Sequence, residues 1–199
     1  MHFGNPNSAT VQKEMNLEAE YQLALTTPSD IFLHLPALRA LADEVGHVTE
    51  MGTRLAVSTR AFLASKAKTI RAYDLGIHAG VEELFVQARS EGKDATITQA
   101  NVLEIEIELT DLLFIDTLHT YDQCLAELNR HAKRVNRYLV FHDTESFGCS
   151  PEIPGGANNG ILPAIIHYLI GDPNWRFVAH YTNCNGLTVL QRTQPLYTV

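Results

Sequence analysis

Apolar residues recur along this chain in short runs separated by helically spaced stretches, and that alternation predicts most of its architecture. Ile31, Leu35, Leu38 and Leu41 follow a helical spacing behind Ser29 and Asp30, whose side chains can cap a helix. Five short apolar segments then read as strands: His47–Met51, Thr69–Leu75, Thr96–Val102, Asp111–Asp116 and Arg137–His142. Between them lie helical stretches at Ser58–Lys66, Gly80–Glu91 and Tyr121–Val135. Strands alternating with helices imply parallel pairing through right-handed crossovers. The last segment changes character. A Gly/Asn/Pro-rich stretch, SPEIPGGANNG, leads to a helix over Ile161–Ile170 that is stopped by Gly171-Asp172-Pro173. Two further strands, Arg176–Tyr181 and Leu187–Gln191, flank the turn-forming TNCNG.

The expected fold is therefore α/β, a doubly wound Rossmann-like sheet of seven strands, mostly parallel with an antiparallel C-terminal hairpin strand. Residues 1–28 are polar and weakly patterned, and read as an N-terminal arm with one short helix around Val11 to Leu25. Residues 29–199 form the domain proper.

Composition narrows the picture. A chain of 199 residues with 45% hydrophobic and 19% charged residues suits one globular domain. The net charge of -8 argues against broad capture of nucleic acid or anionic membrane. A basic cluster at His131, Lys133, Arg134 and Arg137 reads as the solvated end of a helix. The three cysteines, Cys124, Cys149 and Cys184, form no C-x-x-C pair and suggest neither a zinc knuckle nor a disulfide framework. No apolar run reaches the length of a membrane span, and MHFGNPNSAT lacks a signal-peptide core. A cytoplasmic protein of a reducing compartment is expected, with neither nucleic acid nor membrane as partner. Self-association as a homo-oligomer is compatible with this reading.

The candidate chemistry gathers at strand ends. VTEMGTRLAVST places Glu50 and Gly52 where the first strand gives way to a helix, the turn at which ligands meet doubly wound sheets. Gly52 allows close backbone approach, and Ser58 or Thr59 can cap the next helix. Arg54 and Ala56 stand where a dinucleotide fingerprint would have further glycines. Asp74 ends the second strand 22 positions after Gly52, the placement of an acid that binds ribose hydroxyls. Capping the helix that follows is the alternative, which the strand-end placement makes the weaker of the two. The fourth strand runs into FIDTLHTYD, with two carboxylates, an imidazole and a phenol at the mouth of a core strand.

These segments, with IRAYDL, DLLFIDTLHTYDQCLAEL and RYLVFHDT, occur in the order found in class I S-adenosylmethionine-dependent methyltransferases. They most resemble the subgroup of cephalosporin-hydroxylase-like proteins and macrolide-sugar O-methyltransferases, over roughly residues 30–192. The resemblance implies S-adenosylmethionine as cofactor. It places Glu50 and Gly52 beside the methionine moiety, Ser58 near its carboxylate, Asp74 on the ribose and Asn101 near the adenine. It also implies a divalent cation, magnesium or manganese or another, held by Asp116, His142 and Asp143. Imidazole at His142 suits manganese, iron or zinc better than magnesium. If His142 and Asp143 both keep strand geometry they point oppositely, and only one would reach the ion. Asp116 and His119 are the catalytic candidates, His119 as general base. A cap or core histidine at the start of the Tyr121 helix is the alternative for His119. Tyr121 reads as packing and Asp122 as a helix N-terminal acid. The SPEIPGGANNG loop is either a lid over substrate or an irregular connection.

The function expected is O-methylation of a small-molecule hydroxyl with metal assistance. Two alternatives stand beside it: a nicotinamide-dependent oxidoreductase, and a non-catalytic cofactor-binding or assembly protein of the same fold.

Overall fold

Strand order follows from which segments can be buried on both faces. The computed structural model describes residues 15–153 and 159–197. Every residue of Thr110–Ile115 (β4) is buried, so it takes the centre, paired in parallel with His47–Met51 (β1) and Val135–His142 (β5). Thr69–Asp74 (β2) and Asp94–Gln99 (β3) extend the sheet on the β1 side. Beyond β5 lie Trp175–Tyr181 (β6) and Leu187–Arg192 (β7), in the order β3-β2-β1-β4-β5-β7-β6. β7 runs antiparallel to both of its neighbours. The expected doubly wound sheet and its inserted antiparallel strand are thus present.

Side chains alternate between the two faces, as a strand period of two requires. Leu112, Phe114, Tyr138 and Val140 join one core with the helices Leu17–Thr26 (α1), Leu35–Ala42 (α2), Val57–Leu63 (α3) and Val81–Ser90 (α4). Leu113, Ile115, Leu139 and Phe141 join the other, beneath Tyr121–His131 (α5) and Ile161–Gly171 (α6). At the opposite end from the site, the Asp111 carboxylate accepts the Gly46 and His47 amides and the Asn136 side chain, tying β4 to both neighbours.

Several boundaries differ from expectation. The third strand runs two residues earlier, because Asp94–Gln99 pairs with Thr69–Asp74 and the chain then turns at Asn101. α5 ends at His131 rather than Val135, and a 3-10 turn over Ala132–Arg134 delivers Val135 directly to β5. His131 is buried, its Nε2 donating to the Val102 carbonyl, and so does not belong to a solvated helix end. α1 packs Leu17, Tyr21 and Ala24 into the first core. The expected first helix began at Val11, outside the described residues, as do Pro154–Asn158 of the SPEIPGGANNG loop.

Candidate active site

The sheet order reverses between β1 and β4, and residues at their carboxyl ends meet there. Gly52 leaves β1 with φ +85°, and a Cβ added to it would lie 1.9 Å from the Asp116 carbonyl oxygen. Only glycine lets the two strand ends close together. The next residues keep the backbone of a glycine-rich turn without its glycines: Arg54 has φ 45° and Ala56 φ 58°. Left-handed backbone at such residues costs about 1–2 kcal/mol each, so the turn is held in shape by its surroundings.

Asp74 is one of the holders. Its Oδ2 accepts the Thr53 amide (2.7 Å), the Thr53 hydroxyl (3.0 Å) and the Arg54 amide (2.8 Å), while Oδ1 accepts the Gly76 amide at 3.1 Å. Burial opposes its ionisation, but these donors outweigh burial and hold its pKa below the usual carboxylate value. Asp74 also lines a cavity of about 340 Å³ with Gly52, Tyr73, Asn101, Leu103 and Gln123. Asn101 lies two residues past β3, its Oδ1 accepting the Leu103 amide and its Nδ2 donating to Glu104.

Glu50 is fully buried, with Ser58 and Thr59 hydroxyls donating to its two oxygens at 2.5 and 2.7 Å. Burial dominates over those bonds and raises its pKa to about 8. Ser58 lines a second, larger cavity of about 730 Å³, on the other side of the turn. Arg54, Asp116 and Thr117 line both cavities and so mark the point where their contents would meet.

Asp116 and Asp143 line the second cavity, and His142 lies against both of them just outside that lining, completing the cluster read from the sequence. Asp116, His142 and Asp143 each present one ligating atom, all within 4.8 Å of one another. His142 Nδ1 lies 3.4 Å from Asp116 Oδ1 and 3.4 Å from Asp143 Oδ2. Ligands about 2.1 Å from a common ion stand roughly 3.0–3.4 Å apart in octahedral or tetrahedral geometry. Asp143 Oδ1 is buried without a hydrogen-bond partner. The donor set therefore fits a divalent cation. The expectation that only one of His142 and Asp143 could reach an ion is corrected: Asp143 has φ 59°, which leaves strand geometry and turns its carboxylate to the same side as His142.

Without a cation, protons serve the cluster. Burial disfavours a charged His142, yet hydrogen bonds to Asp116 and Asp143 overcome it and raise its pKa to about 10. Asp116 is likewise opposed by burial but carried down to about 2 by His119 and His142. His119 joins from the α5 side, its Nε2 3.2 Å from Asp116 and 3.1 Å from Asp143. The α5 cap is Thr120, whose hydroxyl accepts the Gln123 amide, so His119 is not the cap.

Two residues that the sequence did not single out hold His119. Glu152 Oε2 accepts from its Nδ1 at 3.0 Å and from its backbone amide at 3.2 Å, and the Glu152 amide donates to the His119 carbonyl. Phe147 stacks on the imidazole with centroids 5.1 Å apart. Both come from the irregular β5–α6 loop, where no periodicity marks a residue. Tyr121 hydrogen-bonds His167 outside the cluster.

No protein-family model matches the sequence, and no curated protein matches it. Solved structures do. The 1,6-didemethyltoxoflavin-N1-methyltransferase of Burkholderia thailandensis, with 1,6-didemethyltoxoflavin and S-adenosylhomocysteine bound, superposes with TM-score 0.64. It is 16% identical, over 88% of this chain and 83% of that one. The N-methyltransferase NodS of Bradyrhizobium japonicum, in complex with S-adenosylhomocysteine, gives TM-score 0.57 at 14% identity, covering 90% and 100%. A proposed O-methyltransferase from Klebsiella pneumoniae gives 0.60 at 15%, covering 88% and 87%. The fold is that of the class I methyltransferases. Within this methyltransferase fold, the smaller cavity lies at the ends of β1 and β2 and the larger one at the ends of β4 and β5.

Proposed function

We propose that the chain is an S-adenosylmethionine-dependent methyltransferase acting on a hydroxyl of a small molecule with the help of a divalent cation. The observation that carries this reading is the pair of cavities meeting at Asp116, one beside Asp74 and the other lined by Asp116 and Asp143, two members of a three-residue cluster completed by His142. Two structural relatives hold S-adenosylhomocysteine. The nucleoside would occupy the smaller cavity, its ribose on the Asp74 edge and its base toward Asn101. The sulfonium would face Asp116 and Thr117.

The acceptor would enter the larger cavity. In the transfer, an acceptor oxygen lone pair forms the new C–O bond as the S–CH3 bond breaks and its electron pair stays on sulfur. The products are the methyl ether and S-adenosylhomocysteine. Alignment of oxygen, carbon and sulfur is the main demand, and rigid strand ends meet it. Asp116, His142 and Asp143 would hold the cation, which would polarise the acceptor hydroxyl and, by its charge, favour loss of the His119 proton. His119 Nε2 would take up the hydroxyl proton, its ring held at Nδ1 by Glu152. An imidazole beside two carboxylates favours manganese, iron or zinc over magnesium.

Calorimetric titration with S-adenosylmethionine, with and without Mn2+, tests the reading. Binding should be measurable in both conditions, and Asp74→Ala should weaken it about tenfold or more through lost charge-assisted hydrogen bonds. The same variant releases the Thr53 and Arg54 amides, so a loss of about 1–3 kcal/mol in stability is also expected. Undiminished affinity in a folded Asp74→Ala protein would remove Asp74 from the nucleoside site. Absence of any binding to the wild type would remove the methyltransferase reading.

A further inference from the structure

The TNCNG turn between β6 and β7 reads from sequence as a hairpin connection, yet its carbonyls face inward. Cys184, Asn185 and Gly186 have φ of 44°, 65° and 94°, a left-handed run that turns the peptide planes toward the protein. The Cys184 carbonyl accepts from His142 Nε2 at 3.0 Å. The Asn183 and Cys184 carbonyls accept from His34 Nε2 at 2.9 and 3.2 Å. The Asn185 carbonyl accepts the Glu145 and Ser146 amides, two and three residues after Asp143. A Cβ on Gly186 would lie 2.4 Å from the Glu145 nitrogen, so the turn and the segment after β5 are packed without slack.

The proton positions follow from the partners. A carbonyl can only accept, so Nε2 of His142 carries the hydrogen. In its neutral form His142 then presents the Nδ1 lone pair, on the side where Asp116 and Asp143 converge. A second hydrogen bond of this kind fixes the tautomer and ring plane of a metal-ligating histidine. His34 is 1% exposed, lies edge-on to His142 with centroids 5.9 Å apart, and arrives from the segment before α2. It shares the Cys184 carbonyl with His142 and pins the adjoining one. The turn is thereby clamped on both sides.

We propose that His34 and the Thr182–Gly186 turn are the outer support of the cation site, with His34 a positioning residue that keeps His142 in its ligating orientation. This rests on the cation reading above and extends it to residues that touch neither ion nor substrate. Removing the His34 donor leaves the Asn183 carbonyl with the Gly186 amide alone and takes away the turn's tie to the segment before α2, which loosens the Cys184 carbonyl. His142 then loses its fixed acceptor.

The test is calorimetric titration of Mn2+ into the metal-free protein, with S-adenosylmethionine titrated in parallel. His34→Leu should weaken Mn2+ binding about 10- to 100-fold while leaving S-adenosylmethionine affinity unchanged. His34→Gln, whose amide can still donate to the turn, should recover most of the loss. If His34→Leu does not fold, His34→Asn takes its place, because its shorter side chain does not span to the carbonyls. Wild-type Mn2+ affinity in a folded His34→Leu or His34→Asn protein overturns the proposal. Equal losses for Mn2+ and S-adenosylmethionine, not recovered by glutamine, would also overturn it, since they mark general damage. A wild type that takes up no Mn2+ defeats the underlying cation reading instead, and the proposal with it.

Discussion

Glu50 shows how a buried acid can leave a signature in solution. Its carboxyl sits under α3, bonded to Ser58 and Thr59 and away from both cavities' linings. With a folded pKa near 8 against an ordinary value of 4.5, the folded state binds a proton that the unfolded chain has released. The stability that this protonation contributes is fully present below pH 4.5 and is lost as pH rises through about 8. Glu50→Gln keeps the hydrogen-bonding geometry but removes the titration. We expect denaturation midpoints of Glu50→Gln to fall less than those of the wild type between pH 5 and about 8. Parallel pH profiles would show that Glu50 is ionised in the folded protein at neutral pH.

At the level of elements, the β1–α3 turn controls the site more than any helix does. Gly52 is required by contact with the β4 end, because the Asp116 carbonyl occupies the space of a side chain. Gly52→Ala combines that clash with a positive φ, and should cost at least about 2–3 kcal/mol. Thermal denaturation would check this, and a variant within about 0.5 kcal/mol of wild type would contradict the close approach. The β5 end works differently. There the left-handed backbone falls on Asp143 itself, so the turn that ends the strand also aims its carboxylate toward Asp116 and His142. The β6–β7 turn backs it from behind, and Phe147 with Glu152 fixes His119 from the loop that follows.

Across the whole molecule, the proposed cation site draws on the 3-10 turn at Phe32–His34, β4, β5 and the β6–β7 turn, so an ion held there would bridge distant parts of the chain. A ligand that binds only the folded state stabilises it by mass action, about 2.7 kcal/mol at a hundred times Kd. Mn2+ at that excess should raise the melting temperature by roughly 5–10 °C. A chelator should reverse the rise, and Asp116→Asn should abolish it. An unchanged melting temperature across added Mn2+, chelator and wild type would count against the cluster as a metal site. Among the described residues no helix is long and apolar enough to cross a membrane.

Element types and their order were legible in the sequence because apolar periodicity is a local property. The continuous apolar run of Leu112–Ile115 marked a buried strand, and Gly171-Asp172-Pro173 stopped α6 at the residue expected within one position. The convergence of Asp116, His142 and Asp143 was legible as well, because all three end neighbouring core strands in the fold that the resemblance implies. The sequence could not show that Asp143 turns left-handed, which alone brings both neighbours to one side. Nor could it reveal that Asp74 would be engaged by the Thr53–Arg54 turn, or that Glu152 would reach His119 across 33 positions. His34 and Cys184, 150 positions apart, carry no shared pattern at all. Hydrogen bonds between irregular segments are set by the packing of the elements that carry them. Periodicity fixes each element separately, and only the folded sheet decides which loops meet.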